Sequence, residues 1–337
     1  MKLDSSSEDS ILAKIAHGAG LSSRTRAPRA RLLLGIGDDA ALFELHPGCE
    51  TILTCDWFLE GTHFLREKHP PDSVGWKCLA RAVSDVAAMG GVPRCCLLSL
   101  AVPASLTGRW LDSFLAGLRR ASRKFNCVLA GGDTTRRDQI LINVTVVGEV
   151  RKGRALTRSG AHPGDLIYVS GRLGEAEWGL RLLKQSKARR NPKLSPMRKH
   201  LYPEPRLALG QWLAARRVAS AMMDLSDGLS SDLPRLCAAS GVGARLLASQ
   251  IPAVQIPARS RTGKADPAQL ALHGGDDYEL LFIVPPRHKN LMPRSFHSLP
   301  LTEIGVITPK RQIVLLDENS HARSLSPRGW DPFRRYY

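Results

Sequence analysis

Short apolar runs rich in β-branched residues alternate with stretches of helical periodicity along most of this chain. That pattern predicts α/β or α+β layers rather than a helical bundle or an all-β sandwich. In the first half it predicts strands at Thr51–Asp56, Cys95–Val102, Asn126–Ala130 and Ile140–Val150. A helix over Val74–Met89 sets Leu79, Ala82, Val83 and Val86 on one face and leaves Asp85 off that stripe, and a second helix is predicted over Gly108–Arg123. The longest apolar run, Cys95–Val102, stops at Pro103 and reads as a buried strand, far short of the roughly 20 residues a membrane span needs.

Arg151–Gly164 is rich in Arg, Gly and Ser, poor in large apolar residues and ends in Pro163-Gly164, which makes it the expected boundary between domains 1–150 and 151–337. Beyond it the pattern predicts a strand at Leu166–Ser170 and helices at Glu175–Lys184, Glu204–Ala215 and Leu229–Ala239. It also predicts a strand ending at Asp224 and strands at Tyr278–Val284, Glu303–Ile307 and Gln312–Leu316. Gln185–His200 crowds Lys and Arg around two prolines, a composition that favours a solvated loop. Ser84-Asp85 before Gly131-Gly132-Asp133 is echoed by Ser226-Asp227 before Gly274-Gly275-Asp276, which fits either two similar half-chain units or coincidence.

A length of 337 residues suits about two domains, each able to bury its own core without a metal or disulfide. The seven cysteines are an odd number with no C-x-x-C pair, so a reducing cytoplasm is expected rather than a disulfide frame or zinc site. The first ten residues hold four serines, Asp4, Glu8 and Asp9, which is not signal-peptide chemistry. The formal charge of +17 favours anionic partners: nucleotides, phosphorylated metabolites, nucleic acid or acidic lipid.

Against that positive balance, six aspartate contexts stand out, each beside a glycine or small residue at the edge of an apolar run. They are Gly37-Asp38-Asp39, Thr54-Cys55-Asp56, Ser84-Asp85, Gly131-Gly132-Asp133-Thr134-Thr135, Asp224-Leu225-Ser226-Asp227-Gly228 and Gly274-Gly275-Asp276-Asp277. One such aspartate is an ordinary turn former or helix cap. Six together point to carboxylates gathered where a cation neutralises them, and short rigid carboxylates suit Mg²⁺ shared with substrate phosphates. No Walker loop, kinase H-R-D or D-F-G set, or complete dinucleotide fingerprint is present.

The runs Leu34–Leu42, Glu60–Phe64, Val83–Gly91, Ala130–Arg136, Gly153–Ala161, Asp224–Leu229, Gly274–Leu280 and Arg328–Asp331, in that order, resemble the thiamine-monophosphate kinase family of the aminoimidazole ribonucleotide synthetase superfamily. The resemblance implies an N-terminal α/β domain that forms a homodimer through its sheet and a C-terminal α/β domain, with ATP and several Mg²⁺ ions bound between them. It implies transfer of the γ-phosphoryl of ATP to thiamine monophosphate. By position, Asp39, Thr54, Cys55, Asp56, Asp85, Asp133 and Asp224 are implied metal ligands, with Asp227 beside another Mg²⁺. Gly132, Arg158 and Ser226 are implied nucleotide contacts, His63, Asp276 and Trp330 implied substrate contacts, and Asp133 and Arg158 the implied catalytic pair.

Three positions depart from the family pattern. Cys55 replaces a usual Thr, which changes nothing if its carbonyl is the ligand; Asp276 replaces a usual Glu; and Pro332 replaces a common His. Within the superfamily, a selenophosphate synthetase would show a Cys in an early Gly-rich loop, and none precedes Cys49. A carbamoyl-dehydrating maturation enzyme would show a C-terminal Cys, whereas the last here is Cys237. From another class, a basic nucleic-acid-binding protein on a vestigial enzyme fold has only a 6% aromatic content and no binding motif to support it.

Overall fold

The structure, a computed structural model, describes residues 14–15, 32–36, 40–185, 195–256 and 265–333. The chain divides into two compact units, the first holding the described residues up to Val86 and Gly91–Gly153, the second holding Ala87–Gly90 and the residues from Arg154 onward.

The first unit opens with a small pair, β1 (Leu32–Leu34) and β2 (Leu42–Phe43). Its main sheet has the order β3-β6-β4-β5, from β3 (Cys49–Leu59), β4 (Val92–Val102), β5 (Val128–Arg136) and β6 (Leu141–Arg151). Strand β6 runs antiparallel to both of its neighbours, β3 and β4, while β4 and β5 run parallel because α2 (Arg109–Phe125) crosses between them. Leu111, Phe114, Leu115, Leu118, Ala121 and Phe125 recur at helical spacing and are the buried stripe of α2. Helix α1 (Pro71–Ala88) meets α2 backbone to backbone, where a Cβ on Gly75 would fall 2.0 Å from the Phe114 carbonyl oxygen and one on Gly117 1.8 Å from that of Asp72.

In the second unit the strand order is β14-β13-β9-β12-β7-β10-β8, with β11 (Ser295–Phe296) on β12. The strands are β7 (Leu166–Ser170), β8 (Ala221–Leu225), β9 (Gly243–Leu247), β10 (Glu279–Val284), β12 (Leu299–Thr308), β13 (Ile313–Leu316) and β14 (Ala322–Ser324). Among these described strands, only β9 and β13 pair in parallel. Alternation sends Ile167, Val169, Met223, Leu281 and Ile283 to one face, packed with Leu229, Leu233 and Leu236 of α6 (Leu229–Ser240) and with Ala271 and Leu272 of α7 (Pro267–His273). Tyr168, Met222 and Phe282 turn to the other face against Leu209 and Leu213 of α5 (Leu207–Arg216). With both faces covered, every residue of β10 is buried.

Three expectations change. The strand expected to end at Ala130 continues as β5 through Gly131-Gly132-Asp133, with Gly132 pressed so close to β4 that a Cβ would fall 1.9 Å from the Leu98 carbonyl oxygen. Residues 186–194 of the expected solvated loop lie outside the described residues, but Ser195–Leu201 forms helix α4, with Met197, His200 and Leu201 buried. It packs on α3 (Glu175–Gln185), where Gly179 leaves room for the Pro196 carbonyl. The Ser-Asp echo marks dissimilar places, since Asp85 lies within α1 and Asp227 in the turn before α6.

Candidate active site

In the first unit, the pleat of β3 sends Ile52, Thr54, Asp56 and Phe58 to one face. Ile52 and Phe58 are buried, and they carry Thr54 and Asp56 half-buried along the same wall. Arg81 and Asp85 stand one turn apart on α1 and meet those positions. The Thr54 hydroxyl donates to the Asp85 carboxylate. Arg81 approaches Asp56 at 4.0 Å, its guanidinium 5.5 Å from the centre of the Phe58 ring. The line of α1 that escaped the apolar stripe is therefore its chemical face, and Lys77 and Ser84 along it are also buried.

Cys55 points from the opposite face of β3, where its thiol contacts the Asn143 side chain at 3.1–3.2 Å. Across the sheet, Asp56 shares a row with Val144, Leu98 and Gly132; Asp133 is exposed in the next row, with Trp57, Asn143 and Ser99. His63 accepts the Leu59 N–H at Nδ1, 3.0 Å away, with its ring 5.9 Å from that of Phe58, so it is held beside the end of β3. Asp39 lies outside the described residues.

In the second unit, Asp224 is buried near the end of β8, and the chain then turns through Ser226, Asp227 and Gly228 into α6. Asp232, one turn into α6, reaches back to accept the N–H groups of Asp227 and Gly228, both at 3.0 Å. Burial, reinforced by the charge of Asp227, pushes the Asp232 carboxyl up to about 7. Arg235 donates to Asp227 at 2.5 Å and to Asp232 at 2.7 Å.

Two further segments close on this turn. The Asp276 N–H donates to the Ser226 carbonyl at 2.7 Å and the Trp330 N–H to the Asp227 carbonyl at 2.9 Å. The structure thus brings together Ser226, Asp227, Asp276 and Trp330, which come from three distant parts of the sequence. Gly329 permits the approach, because a Cβ there would fall 2.0 Å from the Asp227 carbonyl oxygen. A cavity of about 290 Å³ beside Trp330 is walled by Ser231, Pro234, Arg235, Ala238, Pro327, Gly329 and Asp331. Arg158 is not part of this group: it is exposed, and its carbonyl accepts the Ser240 hydroxyl at the far end of α6, roughly 18 Å along that helix from the turn.

Among the described residues, no three His, Cys, Asp or Glu side chains stand close enough to enclose a metal ion. The donors that do cluster are hydroxyl and carboxylate oxygens, the set a hard cation such as Mg²⁺ selects, with no His or thiolate to favour zinc.

Residues 37–150 match the N-terminal domain of AIR synthase related proteins and residues 162–318 match the C-terminal domain. A thiamine-monophosphate kinase of Bacillus subtilis (strain 168) is 34% identical over 310 residues, covering 89% of this chain and 94% of that protein. The chain belongs to the thiamine-monophosphate kinase family. A solved thiamine-monophosphate kinase of this family from Stenotrophomonas maltophilia K279a superposes with a TM-score of 0.76 at 34% identity, covering 96% of this chain and 98% of that one. AaThiL complexed with AMPPCP and TMP superposes at 0.75 with 32% identity, covering 98% of each chain.

Motif reading of this thiamine-monophosphate kinase family member passed over Arg81, Arg235, Asp232 and Tyr278. For the first three the sequence signal is spacing, Arg81 lying four residues before Asp85 and Arg235 three after Asp232, whereas Tyr278 stands inside the Gly274–Leu280 run, two residues after Asp276.

Proposed function

We propose that the protein transfers the γ-phosphoryl group of ATP to the phosphate of thiamine monophosphate, giving thiamine diphosphate and ADP, in a Mg²⁺-dependent reaction. The observation that carries this reading is relatedness to thiamine-monophosphate kinases along nearly the whole of both chains. The family's complex with AMPPCP, a non-hydrolysable ATP analogue, and TMP supports both substrates.

The chemistry asks little of the protein in proton transfer. The attacking phosphate oxygen is already ionised near neutral pH, so no general base is needed. The difficulty is holding two polyanions in line. Mg²⁺, when bound, would neutralise the phosphates and the charge that develops between them. Thr54, Asp56 and Asp85, with the carbonyl of Cys55, are the residues of domain 1–150 that would hold it; in this reading Asp39 joins them and Asp133, on the opposite face of the sheet in the row of Trp57, would hold a further ion, with Asp224 and Asp227 doing so from domain 151–337. Gly132 and Ser226 would offer close backbone approach to the nucleotide, and Arg158, exposed near the far end of α6, would supply a positive charge to its phosphates. His63, Asp276 and Trp330 address the thiamine half, where the Trp330 ring face would gain about 0.5–2 kcal/mol from a thiazolium.

In the same reading the protein is a cytoplasmic homodimer. No helix among the described residues is long and apolar enough to cross a membrane. The outer face of the first unit's sheet exposes Leu53, Trp57 and Leu97, an apolar surface suited to a second copy.

Incubation with Mg-ATP and thiamine monophosphate should give thiamine diphosphate and ADP in equal amounts, with loss of product in EDTA or in Asp133→Asn and no reaction of free thiamine. ATP consumption without thiamine diphosphate would contradict the reading.

A further inference from the structure

We propose that Tyr278 is a positioning residue, whose phenol fixes the Asp276 carboxylate in the orientation that meets the thiamine half of the substrate. The proposal rests on the assignment of Asp276 made above. It starts from the backbone: Asp276 and Tyr278 both adopt left-handed conformations, with φ of 67° and 50°. Bulky side chains rarely accept that region, and such strain persists only where the surroundings enforce it.

The surroundings do enforce it. The N–H groups of Asp276 and Tyr278 donate to the carbonyls of Ser226, at 2.7 Å, and Leu225, at 2.9 Å, which ties this loop to the turn that carries Asp227 and Trp330. Between them, the buried Asp277 carboxylate turns inward and accepts the N–H groups of Gly174, at 2.5 Å, and Ala176, at 3.0 Å. The next residue, Glu279, is buried against Lys199 and Arg206. The loop is thus anchored at each of four consecutive residues.

The two left-handed residues bring their side chains together. The Tyr278 hydroxyl donates to Asp276 Oδ1 at 2.7 Å. Tyr278 is 2% exposed, whereas the Asp276 side chain keeps a quarter of its surface open, its second oxygen 3.8 Å from His200 Nδ1. A buried phenol therefore directs its one donor at a carboxylate that still faces outward. Packing alone would be served equally by phenylalanine, so the hydroxyl is what the geometry singles out. It also compensates for the short arm of Asp276, since a carboxylate on a single methylene cannot seek its ligand and must be held where the ligand arrives.

The experiment compares Tyr278→Phe, Asp276→Asn and the double variant in steady-state kinetics of thiamine diphosphate formation, together with thermal midpoints. Tyr278→Phe should raise KM for thiamine monophosphate about tenfold, with KM for ATP unchanged and the midpoint nearly preserved. Asp276→Asn should raise the same KM at least as much, and the double variant should be no worse than Asp276→Asn alone. An unchanged KM in Tyr278→Phe, or a parallel rise in both KM values with a lowered midpoint, would make the tyrosine structural and overturn the proposal while leaving the kinase reading intact. An unchanged KM in Asp276→Asn would remove the substrate contact itself and the proposal with it. A wild-type protein that forms no thiamine diphosphate would instead strike the proposed function.

Discussion

Glu279 offers the sharpest test of how the second unit is held together. Its carboxylate is fully buried on β10 yet accepts from Lys199 Nζ at 2.5 Å, Arg206 Nε at 2.7 Å and the Ser170 hydroxyl at 2.6 Å. Burial, the largest single influence, would raise this acid, but Lys199 and Arg206 together outweigh it and hold it near 2. Against an ordinary 4.5, that depression corresponds to about 3 kcal/mol of folding free energy. Because the folded value lies below the unfolded one, this contribution is complete above pH 4.5 and is lost as pH falls through 2.

Glu279→Ala removes the carboxylate and strands two cations, each of which keeps less than a quarter of its side-chain surface exposed. Breaking a buried pair in this way costs about 3–5 kcal/mol, or roughly 10 °C in thermal midpoint for a unit of this size. Calorimetry and urea titration at pH 7 measure it directly, with Glu279→Gln expected to fall between the two proteins. A loss below about 1 kcal/mol would mean that the cations find water and that the buried network does not hold the unit together.

Burial pushes Asp277 up to about 7 against the pull of Lys199 and the Gly174 and Ala176 N–H groups. With the folded value raised, its contribution is complete below about pH 4 and lost as pH rises through 7, about 1 kcal/mol per pH unit. Urea midpoints should therefore decline between pH 5 and 7, and Asp277→Asn should flatten that slope. Gly329→Ala would put a Cβ 2.0 Å from the Asp227 carbonyl oxygen and 2.6 Å from the Ser231 hydroxyl. It should push Trp330 off the turn, raising KM for thiamine monophosphate more than KM for ATP at a stability cost of about 1–3 kcal/mol. Trp57→Glu, on the exposed sheet face, should convert a dimer to a monomer in light scattering without lowering the thermal midpoint of the isolated subunit.

What the chain reveals by itself depends on whether local pattern or distant contact decides each element. Strand β10 and helix α2 were legible because an unbroken apolar run and a strict helical stripe determine them. Strand β9, Gly-Ala-Arg-Leu-Leu, went unread: its five residues have little strand signal and are held by β12 on one side and β13 on the other. Helix α4 falls in a stretch whose basic composition predicts a solvated loop, whereas Lys199 answers a carboxylate 80 residues away. The aspartates of the site were visible as a recurring Gly-Asp and Ser-Asp context. Their immediate partners, Thr54 on Asp85, Arg235 on Asp227 and Tyr278 on Asp276, follow from strand and helix geometry that exists only once the chain has folded.

Direct phosphoryl transfer between two phosphates is followed through the label of γ-³²P-labelled ATP in the presence of Mg²⁺ and thiamine monophosphate. The terminal phosphate of thiamine diphosphate should acquire the label, one per ADP formed, and Asp85→Asn should abolish the transfer. Label released only as inorganic phosphate, or thiamine monophosphate left unlabelled while ATP is consumed, would contradict it.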